Sequence, residues 1–443
     1  MEVGISSCKI WPRSYWFFKH KTPFIGSFTE NCRIMNRWIL SLCTLLTVVQ
    51  LFAQSAPQNL LEQDIYFLAS DELQGREIGT DGEKMAAQYI AERMSKLGLT
   101  PKGTEEFFQN FSVTPKANPH SMNANAEGKP IEGINVIGQI DKGKETTVII
   151  GAHFDHLGMG AEGSLHSGEA AIHNGADDNA SGVALMLQIA EKLANTNRPL
   201  NNNYVFIAFS GEEKGLWGSN HFVKNPTLDL SKVNYMINFD MVGRLDEDKG
   251  LAINGVGTSP MWKEIIKSAN KKEMKLILGE SGVGPSDHTS FYLQDIPVLH
   301  FFTGQHEDYH KPEDDFDRIN FEGIGLIKFF VLELMATVDM RAAKLEFTKT
   351  KEEQNQTPRF TVTLGVMPDY MFQGEGMRID GVMEDRPAKK AGFEKGDVVI
   401  QMGEHKVEDM MGYMKALSKF QKGDKTKVKV KRGEEVVEEE VVF

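Results

Sequence analysis

Cysteine is scarce in this chain of 443 residues, which has only three. All of them, Cys8, Cys32 and Cys43, lie within the first 55 residues. The rest of the chain therefore forms no disulfide bond and needs no thiol redox chemistry, even in an oxidising compartment.

Positive charge is also in short supply. The sequence has 49 Lys and Arg residues against 62 Asp and Glu residues, which gives a formal net charge of −13 at pH 7. An acidic surface repels phosphate backbones, so this balance argues against nucleic acid as a partner. The ordinary proportions of charged residues (25%) and hydrophobic residues (41%) favour a folded globular protein.

Long hydrophobic runs are almost absent. The run near the start, Ile39–Phe52, has 14 residues, whereas a membrane-spanning helix needs about 20. It follows the basic segment Met35–Arg37 and precedes small residues at 53–56, a pattern typical of a secretory signal peptide. We therefore predict a signal peptide over 35–55 and a non-native or disordered leader over 1–34. The protein would be exported, periplasmic or extracellular, with no transmembrane span after cleavage.

Residues 56–340 alternate between apolar strand patterns and amphipathic helix patterns. The predicted strands are Gly133–Gly138, Thr146–Gly151, Tyr204–Phe209, Tyr235–Asp240 and Ile296–Phe302. The predicted helices are Gln58–Gly98 (interrupted by a turn), Val183–Leu193, Met261–Met274 and Phe321–Met340. This alternation predicts a three-layer α/β/α fold with a mostly parallel, mixed central sheet.

The chain changes character after residue 340. Residues 341–358 are polar and predict a linker. Residues 359–443 contain short strand patterns and tight turns around one predicted helix, Glu408–Phe420. A small, β-rich C-terminal domain is therefore expected after the larger α/β domain.

Residues suited to metal binding follow the predicted strand ends. They are His153 and Asp155, Glu212 and Glu213, Asp240, then Asp178 just before a helix and His310 in the loop after the last strand. In open α/β sheets, sites lie outside the carboxyl ends of the strands. A mixed set of carboxylates and imidazoles suits zinc with an open position for water. Each residue alone is more typical of a surface loop or a helix cap, so the prediction depends on their occurring together.

Five motifs, in this order, resemble the secreted co-catalytic di-zinc aminopeptidases, a family related to glutamate carboxypeptidase and the transferrin receptor. The motifs are His153-Phe-Asp155, Gly175–Gly182, Ser210–Ser219, Asn238-Phe-Asp240 and Tyr309-His310. The resemblance covers roughly residues 58–340 and implies the zinc exopeptidase fold. It implies an exported aminopeptidase that removes N-terminal residues from peptide substrates.

The resemblance also implies a role for each metal-binding residue. Asp178 would bridge two Zn²⁺ ions. His153 and Asp240 would complete the site of the first ion, and Glu213 and His310 would complete the site of the second. Two such ions lie about 3.5–4 Å apart and share a water molecule.

Three further residues of these motifs are implied to act in catalysis. Glu212 would be the general base that activates the metal-bridging water and then protonates the leaving amine. Asp155 would accept a hydrogen bond from the second ring nitrogen of His153, and Tyr309 would help to stabilise the oxyanion. Asp177 and His156 are expected to lie outside the ligand set.

A second resemblance covers residues 359–443, which are similar to a bacterial-type PDZ domain. The segment Leu364-Gly365-Val366 resembles the carboxylate-binding loop, and Glu408–Phe420 would be the helix beside the groove. Such a domain binds a C-terminal peptide as an added strand. A domain kept for packing or dimer contact is the alternative.

Other functions stay open at this point. The same scaffold serves dipeptidases and carboxypeptidases, and less closely the acyltransferases of glutaminyl-cyclase type, which work with one zinc ion. The intact pair His153 and Asp155 favours two ions. A non-catalytic binding relative of the receptor type is expected to have lost metal ligands, and none of the five is missing from this sequence.

Overall fold

The computed structural model describes residues 57–114, 129–160, 163–166, 168–341, 343–350, 362–369, 372, 374–382 and 386–443. All of them belong to the compact unit that spans residues 57–443. The predicted leader and signal peptide, residues 1–55, lie outside this described part of the chain. Within it, every helix is too short or too polar to cross a membrane.

The larger domain is built on a mixed sheet of nine strands. They are β1 (Thr100–Pro101), β2 (Phe108–Val113), β3 (Ile131–Ile140), β4 (Thr147–His153), β5 (Asn203–Phe209), β6 (Val233–Phe239), β7 (Leu251–Asn254), β8 (Leu276–Leu278) and β9 (Val298–Phe302). The strand order is β1-β3-β5-β4-β6-β9-β7-β8, with β2 paired to β3. The structure therefore confirms the predicted mixed sheet.

The centre of the sheet is parallel. Strand β4 pairs in parallel with both β5 and β6, and β6 pairs in parallel with β9. Strands β3 and β7 join this parallel core in antiparallel orientation. Every residue of β4, β5 and β6 is buried, as their uninterrupted apolar runs predict. The carboxyl ends of the four central strands consequently meet at one edge of the sheet.

Helices cover both faces of this sheet. They are α1 (Leu60–Leu68), α2 (Asp81–Lys96), α3 (Gly182–Ala194), α4 (Trp217–Lys224), α5 (Trp262–Ala269), α6 (His288–Tyr292) and α7 (Phe321–Asp339). Alternate residues of β5 point to opposite faces. Tyr204 and Phe206 pack in an apolar cluster with α1, α2, α3, α5 and α7, whereas Val205 and Ile207 pack with α4 and α6. The three-layer arrangement is therefore confirmed.

Helix α5 ends earlier than its sequence pattern predicts. The pattern favours a helix over Met261–Met274, but α5 ends at Ala269. The side chain of Asn270 donates to the backbone oxygen of Met274 and accepts from its backbone nitrogen. Such local side-chain bonds compete with helical hydrogen bonds, and the chain turns here into β8.

The predicted linker begins as packed structure. The polar composition predicts a linker over 341–358, yet Leu345 is buried in the main apolar cluster. The backbone nitrogen of Thr348 donates to the backbone oxygen of Thr258, and the hydroxyls of Thr350 and Tyr292 are hydrogen-bonded at 2.8 Å. Residues 343–350 therefore lie against the larger domain, and residues 351–358 lie outside the described part.

The described part of the C-terminal domain has a six-stranded sheet and two short helices. Its elements are β10 (Val366–Pro368), β11 (Met377–Val382), α8 (Pro387–Lys390), β12 (Val398–Met402), β13 (His405–Lys406), α9 (Met410–Leu417), β14 (Lys425–Arg432) and β15 (Glu435–Val442). The strand order is β10-β11-β12-β14-β15, with β13 paired to β12. Strand β10 is thus an edge strand among the described strands, and a separate apolar cluster forms the core of this domain.

Candidate metal centre

The strand order places the predicted ligands side by side. His153 is the last residue of β4, Asp240 directly follows β6, and Glu213 follows β5. Because β5, β4 and β6 are neighbours and parallel, these three side chains reach the same edge of the sheet. Asp178 lies just before α3, and His310 lies in the loop after β9.

The first group of metal donors contains one histidine and two carboxylates. The Nε2 atom of His153 lies 3.3 Å from Asp178 Oδ1 and 3.5 Å from Asp240 Oδ1. The three side chains form one of the clusters that could hold a metal ion in the described part of the chain. His153 and Asp178 are buried, whereas Asp240 is partly exposed to the pocket.

The second group uses the other oxygen of Asp178. The Nε2 atom of His310 lies 3.2 Å from Asp178 Oδ2 and 3.3 Å from Glu213 Oε2. The two carboxylate oxygens of Asp178 therefore face two different histidines. This is the arrangement that a carboxylate bridging two cations needs.

His156, which is expected to lie outside the ligand set, lies close to Glu213. Its Nδ1 atom lies 2.8 Å from Glu213 Oε1, and with Asp178 and Glu213 it forms another cluster that could hold a metal ion. Glu213 thus presents Oε1 to His156 and Oε2 to His310. The signal for His156 was its position in the same strand-end segment as His153.

The electrostatics of the two groups fit cation binding. Burial lowers the pKa of His153, but nearby carboxylates, Glu212 foremost, raise it well above its usual value. Burial also opposes protonation of His310, and Glu213 and Asp178 raise its pKa well above normal. Although burial raises the pKa of Asp178, hydrogen bonds from the two histidines lower it well below normal. The carboxylates around His153 and His310 thus favour positive charge at these positions, and metal ions compete with protons for such ligands.

Glu212 lies in the same pocket but outside both donor groups. Burial raises the pKa of its carboxyl well above the usual value; the His153 charge opposes this shift, and the carboxylates of Asp240 and Glu213 add to it. Its backbone nitrogen donates to Asp155 Oδ1 at 3.1 Å. A carboxyl with a raised pKa, beside the donor groups, is suited to accept and release a proton.

Asp155 makes a contact that differs from the one implied by the resemblance. His153 Nδ1 lies 3.2 Å from the backbone oxygen of Asp155 and 3.7 Å from its carboxylate Oδ1. The carboxylate instead accepts the backbone N–H groups of Glu212 and Glu213. Asp155 thereby connects the end of β4 to the segment that carries the acidic pair.

Tyr309 also lines the pocket. Its ring stacks on the ring of His310, with the centroids 3.8 Å apart and the planes 22° apart. Tyr309 and the predicted metal ligand His310 are therefore neighbours in one loop and line the same pocket.

Asp177 points away from both donor groups. Its Oδ1 atom accepts hydrogen bonds from the backbone nitrogen of Gly243 at 2.6 Å and from Ser181 Oγ at 3.0 Å. Its Oδ2 atom lies 3.2 Å from His306 Nε2. These contacts agree with the expectation that Asp178, and not its neighbour, is the bridging residue.

The pocket wall includes residues that the sequence did not single out for this role. They are Met241, Asn254, Pro285, His300, Phe302 and Gln305. The rings of Phe301 and Phe302 favour a place in the core, and the resemblance implies that Asp287 and His288 line the pocket. Both Asp287 and His288 are instead fully buried, because they begin helix α6, which packs against the sheet.

Comparisons with known proteins identify the two domains. Residues 135–335 match the family model described as Peptidase family M28. This chain carries a Peptidase family M28 domain. The C-terminal residues 347–442 match the model of a PDZ domain, so the second domain is a PDZ domain, as predicted.

Curated relatives resemble part of this chain. Aminopeptidase YwaD of Bacillus subtilis (strain 168) is 33% identical over 171 residues, which are 36% of this chain and 36% of the relative. The alkaline phosphatase isozyme conversion protein of Escherichia coli (strain K12) is 29% identical over 195 residues, which are 44% of this chain and 53% of the relative. The chain therefore spans about a third to a half of the length of these relatives.

Solved structures confirm the fold of the M28 domain. The zinc aminopeptidase BSAP from Bacillus subtilis has a TM-score of 0.50 at 20% identity, covering 66% of this chain and 97% of that chain. A glutaminyl cyclase from Porphyromonas gingivalis has a TM-score of 0.51 at 16% identity, covering 62% and 98%. At these identities the likeness shows a shared fold, which hosts at least two kinds of enzyme.

In the PDZ domain, the predicted carboxylate-binding loop lies at the start of β10. Leu364 and Val366 are buried in the domain core. Gly365 has a φ of +76°, and a Cβ atom there would lie 2.0 Å from Arg386 Cβ. Only glycine fits such a position, which explains why this residue stands in the middle of the loop.

Proposed function

We propose that the protein is an exported zinc-dependent aminopeptidase that hydrolyses N-terminal residues from peptides. The observation that carries the proposal is that one oxygen of Asp178 lies near His153 and the other lies near His310. Glu212 lies in the same pocket and belongs to neither group of metal donors. The M28 match and the zinc aminopeptidase relatives support it. The signal-peptide pattern of residues 35–55 supports export.

Two Zn²⁺ ions are the proposed cofactors. His153 and Asp240 would hold one ion, and Glu213 and His310 would hold the other, each with an oxygen of Asp178. The mixture of imidazole and carboxylate donors suits zinc. When bound, the ions would polarise the peptide carbonyl and make water more acidic.

The residues of the chain supply the proton transfers. Glu212, whose pKa is raised by burial, would take a proton from the attacking water and deliver it to the departing amine. The hydroxyl of Tyr309 would donate a hydrogen bond to the carbonyl oxygen as negative charge develops on it. The carboxylate of Asp155, which accepts the backbone N–H groups of residues 212 and 213, would hold the base in place during both transfers.

The acidic pocket suits a substrate with a free N-terminus. The carboxylates of Glu212, Glu213 and Asp240 all line it, and a free α-ammonium group is attracted to such a cluster. An acylated N-terminus lacks this positive charge. We therefore expect exopeptidase activity, with N-blocked peptides as non-substrates.

A chromogenic assay tests this proposal. Purified protein should release the chromophore from aminoacyl p-nitroanilides, lose this activity with a chelator, and regain it when zinc is added. The N-acetylated substrates should stay intact. The Glu212→Gln variant should keep its zinc and lose a factor of about 10²–10⁴ in turnover. Full activity in that variant would remove Glu212 from the role of base.

A glutaminyl-cyclase-type acyltransferase is the second candidate, because a solved cyclase shares this fold. It would convert an N-terminal glutaminyl residue into a cyclic amide and release ammonia, without cutting a peptide bond. Mass spectrometry of a peptide that begins with glutamine separates the two reactions. The aminopeptidase shortens the peptide, whereas the cyclase lowers its mass by the mass of ammonia.

A further inference from the structure

One residue of the metal pocket reaches into the PDZ domain. Gln305 lines the pocket, in the same loop as His310. With its amide oriented so that both partners are satisfied, the nitrogen of Gln305 donates to the backbone oxygen of Pro368 at 2.9 Å and to Asp380 Oδ2 at 3.3 Å. Pro368 ends the edge strand β10, and Asp380 lies on β11.

The oxygen of Pro368 lies on the free side of β10. The next backbone nitrogen, that of Asp369, donates inward to the oxygen of Arg378 on β11. Because the N–H and C=O groups of a trans peptide point in opposite directions, the Pro368 oxygen must point away from β11. Gln305 therefore occupies one of the hydrogen-bonding positions that an added strand would use.

The direction of β10 sets the direction of a bound peptide. The strand begins beside the loop Leu364–Val366 and runs toward Pro368. A peptide whose terminal carboxylate is held at this loop, and whose preceding residues pair with β10, has its earlier residues beside Pro368. Its N-terminal end then points toward Gln305 and the metal pocket.

We infer that the PDZ domain is a second subsite for the same peptide whose N-terminus lies in the metal pocket. The substrate class is therefore a short oligopeptide with both termini free, and this inference rests on the proposed aminopeptidase function. Since a strand rises about 3.3 Å per residue, pairing along β10 and reaching the pocket takes on the order of five to ten residues.

Arg386 lies beside the loop that would hold the terminal carboxylate. The stem of Arg386 lies against Gly365 in the loop, and the side chain of Arg386 is exposed. A guanidinium group pairs strongly with a carboxylate. The loop thus offers a site for the terminal carboxylate, β10 offers a strand edge, and the metal pocket beside Gln305 offers a site for the N-terminal ammonium group. These three sites follow one another in the order that one peptide requires.

The test compares two forms of one peptide of about eight residues, a free acid and its C-terminal amide, with the full-length protein. Because the second contact acts by raising the local concentration of the substrate, we expect kcat/KM for the acid to exceed that for the amide by about tenfold. Arg386→Glu should reduce this ratio to about one. Lys390→Glu, the same charge change one helical turn further along α8, should keep the ratio.

Each rate is divided by the rate of the same variant on an aminoacyl p-nitroanilide, which is too short to reach the PDZ domain. Equal rates for acid and amide in the unmodified protein would overturn the inference, and so would an acid preference that survives Arg386→Glu. If the p-nitroanilide is not cleaved, the proposed function fails by itself. The inference is then decided by the dissociation constants of the same peptides. If one peptide contacts both the metal pocket and the PDZ domain, amidation of its C-terminus and acetylation of its N-terminus should each weaken binding. If neither change weakens binding, the inference is wrong.

Discussion

Asp314 supports the backbone that carries the bridging carboxylate, and its replacement tests how far the metal centre depends on this support. Asp314 is fully buried. Its Oδ2 atom accepts the backbone N–H groups of Asp177 and Asp178, both at 3.0 Å. Its Oδ1 atom lies 3.1 Å from the nitrogen of Asp177 and 3.6 Å from Arg244 Nη2. Burial and the neighbouring Asp177 carboxylate raise the pKa of Asp314 to about 6, so it is ionised above neutral pH.

The Asp314→Asn variant keeps the size of the side chain and removes its charge. Its amide group then points toward either the Asp177 nitrogen or Arg244, so that a donor faces a donor. Loss of a hydrogen bond to a charged group costs about 1.5–3 kcal/mol. Removal of such support behind a metal ligand lowers metal affinity by about 10–100-fold. We expect the zinc affinity of the variant to fall within that range.

Competition with a chromophoric chelator above neutral pH measures this affinity. Asp315→Asn is the matched control, since it makes the same charge change one residue further along. Asp315 is only partly buried, and it accepts a hydrogen bond from Asn174. The control should bind zinc as the unmodified chain does. Unchanged affinity in Asp314→Asn, with a weakened control, would refute the reasoning.

Three further predictions concern stability and the second donor group. Burial raises the pKa of Glu83 from 4.5 to about 7, so the folded state binds this proton more tightly and stability falls as pH rises from 4.5 through 7. This difference between the two pKa values corresponds to a loss of about 3 kcal/mol in the free energy of unfolding. Chemical unfolding of Glu83→Gln across this pH range should not show that loss. A variant with the same pH profile as the unmodified chain would contradict the raised pKa of Glu83. Asp64 accepts two hydrogen bonds from Arg93, at 2.6 and 3.0 Å, and both residues are buried. Asp64→Ala leaves the Arg93 guanidinium without this carboxylate and should lower the free energy of unfolding by about 3–5 kcal/mol in urea titrations. A loss of less than about 1 kcal/mol would show that water replaces the carboxylate of Asp64. His156→Phe removes the contact to Glu213 Oε1 and should weaken binding of one zinc ion by about 10–100-fold in a zinc titration. Equal weakening of both zinc ions would argue against a role of His156 that is confined to the site of Glu213.

Much of the fold follows from the sequence because its main signals are local. The runs that form β4, β5 and β6 are uninterrupted and apolar, so burial on both faces is visible in the sequence itself. His153 ends β4, the Glu212-Glu213 pair follows β5 and Asp240 follows β6, and parallel pairing brings such strand ends together. The catalytic and ligand roles of these residues stay predictions, which the experiments above address.

Other features depend on contacts between distant segments, and the sequence does not show them. The early end of α5 follows from two side-chain hydrogen bonds of Asn270. Phe302 is buried against Met241 and Ala252 and also lines the pocket, because β9 ends beside the site. The contact of Gln305 with Pro368 depends on how a loop of one domain lies against a strand of another. No periodicity or motif encodes these positions.

The central claim is that one carboxylate bridges two cations while a neighbouring acid stays unliganded. Anomalous diffraction from crystals grown with zinc tests it most directly. The account predicts two peaks about 3.5–4 Å apart, both beside Asp178, one contacting His153 and Asp240 and the other Glu213 and His310. Glu212 should contact neither. A single peak, or direct ligation by Glu212, would contradict the account.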